Sequence, residues 1–216
     1  MRSFLTNYQI KLLAASLMLI DHVGVVFFPE VYWLRVLGRL SFPLFAWLLV
    51  QGEAHTHNIW KYGLRLLVLG LISQPFFYLT FETDNLNILF TLLIGLLCLR
   101  AARTVPDVQL LTWVIGGAVA SLSNVDYGAY GIALIAVIWQ FRPTLLWWAC
   151  WLLPHLFLLY ALPDYGTFQF PVVLAPLFLQ VANHQPGAKA RWFYLFYPVH
   201  LLLLYLIRLG IEQNAG

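Results

Sequence analysis

Apolar residues fill long stretches of this chain, near positions 9–28, 33–51, 61–81, 87–100, 108–123, 128–141, 144–161, 168–183 and 192–210. Polar, proline and glycine clusters divide them: Phe28-Pro29-Glu30, Glu53 to Asn58, Glu82 to Asn85, Arg100 to Asp107, Asn124 to Gly128, Arg142-Pro143, Leu162 to Gly166 and Asn183 to Arg191. Each break has the composition of a turn. A hydrocarbon core about 30 Å thick takes about 20 residues of helix to cross. The pattern therefore predicts an all-α, polytopic transmembrane helix bundle of about nine spans. The fourth to sixth runs are short, so they cross only by thinning the bilayer, by burial in the bundle or as re-entrant segments. No internal repeat is evident, which separates the chain from transporters built of inverted halves.

Composition narrows this further. Hydrophobic residues make up 62% of the 216-residue chain and charged residues 10%, against about 25% charged in soluble domains, and the mean hydropathy is +0.79. The expectation is one integral membrane domain over residues 1–216. The net charge of +3 matters less than its placement. With nine spans, Lys61, Arg65, Arg100, Arg103, Arg142, Lys189 and Arg191 fall on the side of Arg2 and Lys11, while Glu30, Glu82, Asp84, Asp126 and Asp164 fall on the other. Positive residues stay cytoplasmic, so the chain is expected N-in and C-out. Nucleic-acid binding finds no support. Cys98 and Cys150 lie inside apolar runs and read as packing residues, not as a disulfide or metal pair. The basic start followed by an apolar centre looks like a signal peptide. The run continues to Phe28 without a small-residue cleavage site, so it reads as a retained first helix.

Ionisable residues at membrane depth are functional candidates by default, because hydrocarbon cannot solvate them. Asp21 and His22 stand side by side in the first span, and Arg35 and Arg39 one turn apart in the second. Imidazole titrates near neutral pH and serves as a general base without a large shift. Adjacent helix residues point about 100° apart, so Asp21 is expected to pair with Arg35 or Arg39 instead of orienting His22. The arginine left over would then stabilise an oxyanion. Gly38 allows close backbone approach. Asn87 reads as a helix N-cap or a substrate contact. Gln74, before Pro75, reads as a cavity amide or as a partner for kinked backbone. Tyr197 and His200 follow in the last span, and His155 falls toward the outer side with the first cluster. His55 and His57 flank a turn without a convincing third zinc ligand, and no metal is expected.

The runs Met18-Leu19-Ile20-Asp21-His22-Val23-Gly24, Gly38-Arg39-Leu40-Ser41-Phe42-Pro43, Asn87-Ile88-Leu89-Phe90-Thr91 and Phe196-Tyr197-Pro198-Val199-His200 resemble the TraX family of bacterial conjugal-transfer proteins. The resemblance implies a multi-pass acetyltransferase of the bacterial inner membrane. It implies acetyl-CoA as donor and the amino terminus of a pilin, or another amine, as acceptor. His22, Asp21 and Arg39 would be the catalytic residues, with Arg35, Gln74, Asn87, Tyr197 and His200 at the acceptor. Lys61, Arg65, Arg100 and Arg103 would meet the phosphates of CoA. Membrane lipids are the other expected partners. The alternatives are a transporter or channel with an Asp/His/Arg pathway, an O-acetyltransferase acting on a glycan, and a non-catalytic scaffold for pilus assembly.

Overall fold

A computed structural model describes residues 3–190 and 192–215; Arg2 and Arg191, both counted in the charge asymmetry, lie outside them. The described residues form helices joined by turns, in the order α1 (Asn7–Phe27), α2 (Tyr32–Gly38), α3 (Ser41–His55), α4 (Ile59–Phe81), α5 (Ile88–Thr104), α6 (Gln109–Leu122), α7 (Gly128–Trp139), α8 (Leu145–Ala161), α9 (Pro163–Gln169), α10 (Ala175–Gln180) and α11 (Phe193–Ala215). The expected all-α class is what the fold shows. Start signals are local. Thr6 and Gln9 form a reciprocal capping box at α1, Asn58 caps α4 and Thr144 caps α8, each satisfying an orphan backbone N–H.

Among the described residues, four helical stretches are long and apolar enough to cross a membrane: Asn7–Phe27, Tyr32–His55, Ile59–Phe81 and Phe193–Asn214. Helices α6 and α7, of 14 and 12 residues, extend only about 18–21 Å, as their short apolar runs suggested. Two features depart from the expected spans. The second run is broken at Arg39 and Leu40, because Pro43 has no N–H to give the carbonyl four residues back and its ring crowds it. The eighth run, 168–183, is no continuous span. Pro163, Pro171 and Pro176 divide that part of the chain into α9, a 3-10 segment over Phe170–Leu174 and α10.

The chain divides into two compact units, one of Met1–Leu48 with Val137–Ala190, the other of Leu49–Ala136 with Arg191–Gly216. The first has a core of Ile10, Ala14, Met18, Phe42, Leu44, Trp47, Trp147, Trp151 and Leu179. Two of its indole N–H groups are satisfied by backbone: Trp147 donates to Val137 O at 3.0 Å and Trp151 to Val173 O at 3.3 Å. A parallel bridge, Leu5 to Ala182, ties down the segment that leads into α1. In the second unit α4 packs against α5 and α11, and α5 against α6, around Leu66, Phe77, Leu92, Leu96, Leu99, Ile132, Ile135 and Leu201. Outward faces carry Leu71, Leu110, Leu122, Leu145 and Leu146. Such apolar surface suits lipid and not water.

Candidate functional site

The close approach of α1 and α2 begins with one residue that has no side chain. A Cβ on Gly38 would lie 2.2 Å from Asp21 Cβ, so only glycine lets the second helix come this near the carboxylate. Arg35 and Arg39 then straddle it. Arg35 Nε donates to Asp21 Oδ1 at 3.1 Å and Arg39 Nη2 to Oδ2 at 2.6 Å. The sequence offered one arginine to Asp21 and left the other for chemistry; both engage it, one per oxygen. Asp21 and Arg39 are buried, while the Arg35 side chain keeps 30% of its exposure. An ionised acid at this depth would be costly alone, and the two guanidinium groups supply the compensation.

Phe168 completes the cluster from α9. The Arg35 and Arg39 guanidinium carbons lie 4.9 and 4.6 Å from its ring centroid, within cation–π range. Nothing in the sequence pattern singled it out. Its element packs closely on α8 at Gly166, where a Cβ would meet Leu158 O and Leu159 N at 2.5 Å. His22, one residue beyond Asp21 on α1, is half-buried. Its neighbour points inward and it projects along a different face, as helical spacing requires.

The other residues expected at the acceptor fall in the second unit. Gln74 and Asn87 meet and commit their amides to backbone. Gln74 Nε2 donates to Asn85 O at 2.8 Å, its Oε1 accepts from Asn87 N at 2.9 Å, and Asn87 Nδ2 reaches Gly70 O and Gln74 Oε1, both at 2.8 Å. Asn87 Oδ1 also caps α5 at Leu89 N. This pair joins the end of one helix to the start of the next. Tyr197 and His200 are buried in α11. His200 Nδ1 lies 2.8 Å from Phe196 O; a carbonyl only accepts, so Nδ1 carries a proton. His155, in the first unit, makes the same contact with Trp151 O at 2.6 Å.

The basic residues gather where α4 begins and α5 ends, again in the second unit. Arg65 donates from Nε to Lys61 O at 3.1 Å and from Nη1 to Tyr194 Oη at 2.9 Å, and stands 5.6 Å from the centroids of Tyr62 and Tyr194. Lys61 is exposed. Arg100 and Arg103 both face Glu53, the last acid of α3, at 3.2 Å and 2.9 Å through their Nε atoms. The Glu53 side chain is wholly buried. Sequence reading treated it as part of a turn. The signal was there: an acid on the otherwise basic side, opposite two arginines three residues apart on one helix face.

The family model described as TraX protein matches residues 6–208. A probable fimbrial assembly protein FimC, serogroup H1, of Dichelobacter nodosus is 31% identical over 229 aligned residues, covering 91% of this chain and 93% of that protein. Protein TraX of Escherichia coli is 32% identical over 136 residues, 61% of this chain and 54% of its own length. An uncharacterized protein of Rickettsia prowazekii (strain Madrid E) is 28% identical over 145 residues, 60% of this chain and 54% of its own. The chain thus spans nearly all of the first relative and about half of the other two. No solved structure matches.

Proposed function

The chain belongs to the TraX family, and from that premise we propose that it is a multi-pass acetyltransferase of the bacterial inner membrane, moving acetyl from acetyl-CoA to an amine, the amino terminus of a pilin. The observation that carries the proposal is the buried Asp21 carboxylate holding two guanidinium groups, with an imidazole on the next residue. The fimbrial assembly name of one relative and the TraX name of another support a pilus subunit as acceptor. An amine is favoured over a glycan hydroxyl for the same reason.

In this reading neutral His22 takes the proton released as the acceptor nitrogen attacks the thioester carbonyl. Arg39, fixed by Asp21, stabilises the negative charge that develops on the carbonyl oxygen. As the carbon–sulfur bond breaks, His22 returns its proton to the departing CoA sulfur, so the imidazole ends neutral. A guanidinium stays charged in any protein setting, and two of them on one carboxylate leave a net positive cluster. That surplus is what an oxyanion needs. Arg35, more exposed than Arg39, is the arginine of this cluster left to meet the acceptor. Lys61, Arg65, Arg100 and Arg103 provide positive charge for the phosphates of the donor. Their side is cytoplasmic by the positive-inside rule, where CoA is, which gives the N-in, C-out orientation.

The test is incubation of the purified protein with labelled acetyl-CoA, with and without pilin. Label at the amino terminus of the pilin is the expected result. CoA-independent solute flux in proteoliposomes, with no transfer of label, would favour the transporter reading instead.

A further inference from the structure

A carboxylate with no exposed side-chain surface is an unusual thing to leave near the end of an apolar helix. Glu53 is there because two cations come to it: Arg103 Nε donates to Oε2 at 2.9 Å, and Arg100 Nε forms an ion pair with Oε1 at 3.2 Å. Tyr62 leans over the neighbouring position, its hydroxyl 2.9 Å from where a Cβ on Gly52 would stand, which helps keep water from the acid. Arg103 is therefore hydrogen-bonded at Nε, the inner corner of its fork, and Arg100 is held at the same corner by charge alone. Among the described residues no contact engages the Nη atoms of Arg100 or Arg103, and these side chains keep 35% and 43% of their exposure. One negative charge against two positive leaves the group cationic. Arg65, braced on Tyr194, adds another cation in the same unit.

A guanidinium edge with paired N–H groups matches two oxygens of a phosphate. A buried acid that fixes two such edges removes much of the side-chain entropy that binding would otherwise cost. We propose that Arg100 and Arg103, held on the Glu53 carboxylate, form a binding site for a phosphate group. Two sources present that chemistry at a membrane face: the phosphates of CoA and the headgroup of an anionic lipid. The inference rests on the acetyltransferase reading only for the first of these.

The experiment uses the full-length protein in nanodiscs. In phosphatidylcholine discs, CoA and CoA lacking its 3′-phosphate are titrated against the wild type, Arg103→Gln, Arg100→Gln/Arg103→Gln and Glu53→Gln. In a second arm, discs mixing phosphatidylglycerol with phosphatidylcholine are used, and the phosphatidylglycerol retained after purification is counted by native mass spectrometry. Each guanidinium removed is expected to weaken the bound phosphate about tenfold, and Glu53→Gln to weaken it less, since the cations remain but lose their anchor. Arg103→Gln keeps the Glu53–Arg100 pair, so it reports on binding even if Glu53→Gln fails to fold. Loss confined to CoA assigns the site to the donor, and loss confined to phosphatidylglycerol assigns it to lipid. Variants that melt earlier yet hold both ligands as the wild type does would overturn the site and leave an interhelical ion cluster. Acetyl transfer, measured on the same samples, is scored separately. Transfer with unchanged ligand affinities removes only this inference; lipid loss in a protein that never transfers acetyl removes only the enzyme.

Discussion

At the scale of single residues, the first cluster makes an asymmetric prediction. Asp21 bridges two arginines, so Asp21→Asn leaves two cations facing each other beneath Phe168, whereas Arg35→Gln leaves the tighter Asp21–Arg39 pair in place. Removing one partner of a buried pair costs about 3–5 kcal/mol. Asp21→Asn and Arg39→Gln are expected in that range, and Arg35→Gln, at a partly exposed side chain, well below it. Thermal unfolding of the purified variants in detergent ranks them; equal losses for Arg35→Gln and Arg39→Gln would refute the geometry. The Asp21–arginine pairing was legible in the sequence, because an acid in a span needs a cation and only Arg35 and Arg39 return past its depth. That both would bind it was not legible, since spacing gives a face and not a count of bonds. Phe168 and Glu53 were missed for a related reason. Each acts through residues far away in the chain, and neither lies in a recognisable motif.

At the scale of elements, apolar runs and their breaks located the helices, while proline decided where two of those runs failed. Pro43 parts α2 from α3, and three prolines cut the eighth run into short pieces. The break after α2 is useful: it ends the helix at Gly38 with Arg39 just beyond, both next to Asp21. Gly38→Ala places a methyl group inside Asp21, so α1 and α2 must separate. Overpacking of this kind costs about 1–3 kcal/mol, and the expected result is a lower melting temperature with a matching loss of activity. A Gly38→Ala protein as stable as the wild type would show that the helices are not in this contact. The Gln74–Asn87 lock makes the next prediction at this scale. Asn87→Ala removes the α5 cap and the amide that donates to Gly70 O and Gln74 Oε1, at a cost of about 1–3 kcal/mol. Gln74 and Asn87 were candidates for acceptor contact in the sequence, where a polar amide near a span looks the same whether it caps a helix or lines a cavity.

For the whole molecule, the account needs the basic start of α4 and the basic end of α5 on the cytoplasmic face and the Glu82 and Asp126 turns on the other. Cysteine labelling in intact cells checks this directly: probes at Thr56 are expected to stay protected from an impermeant reagent and probes at Asp84 to react. The reverse pattern would put the arginines where no CoA is. The central claim, however, is chemical, and the rate of acetyl transfer from labelled acetyl-CoA to pilin by His22→Ala, set against the wild type in the same detergent, tests it most directly. The account predicts that transfer falls to background in the variant while its melting temperature and CoA binding hold; transfer at the wild-type rate would contradict it.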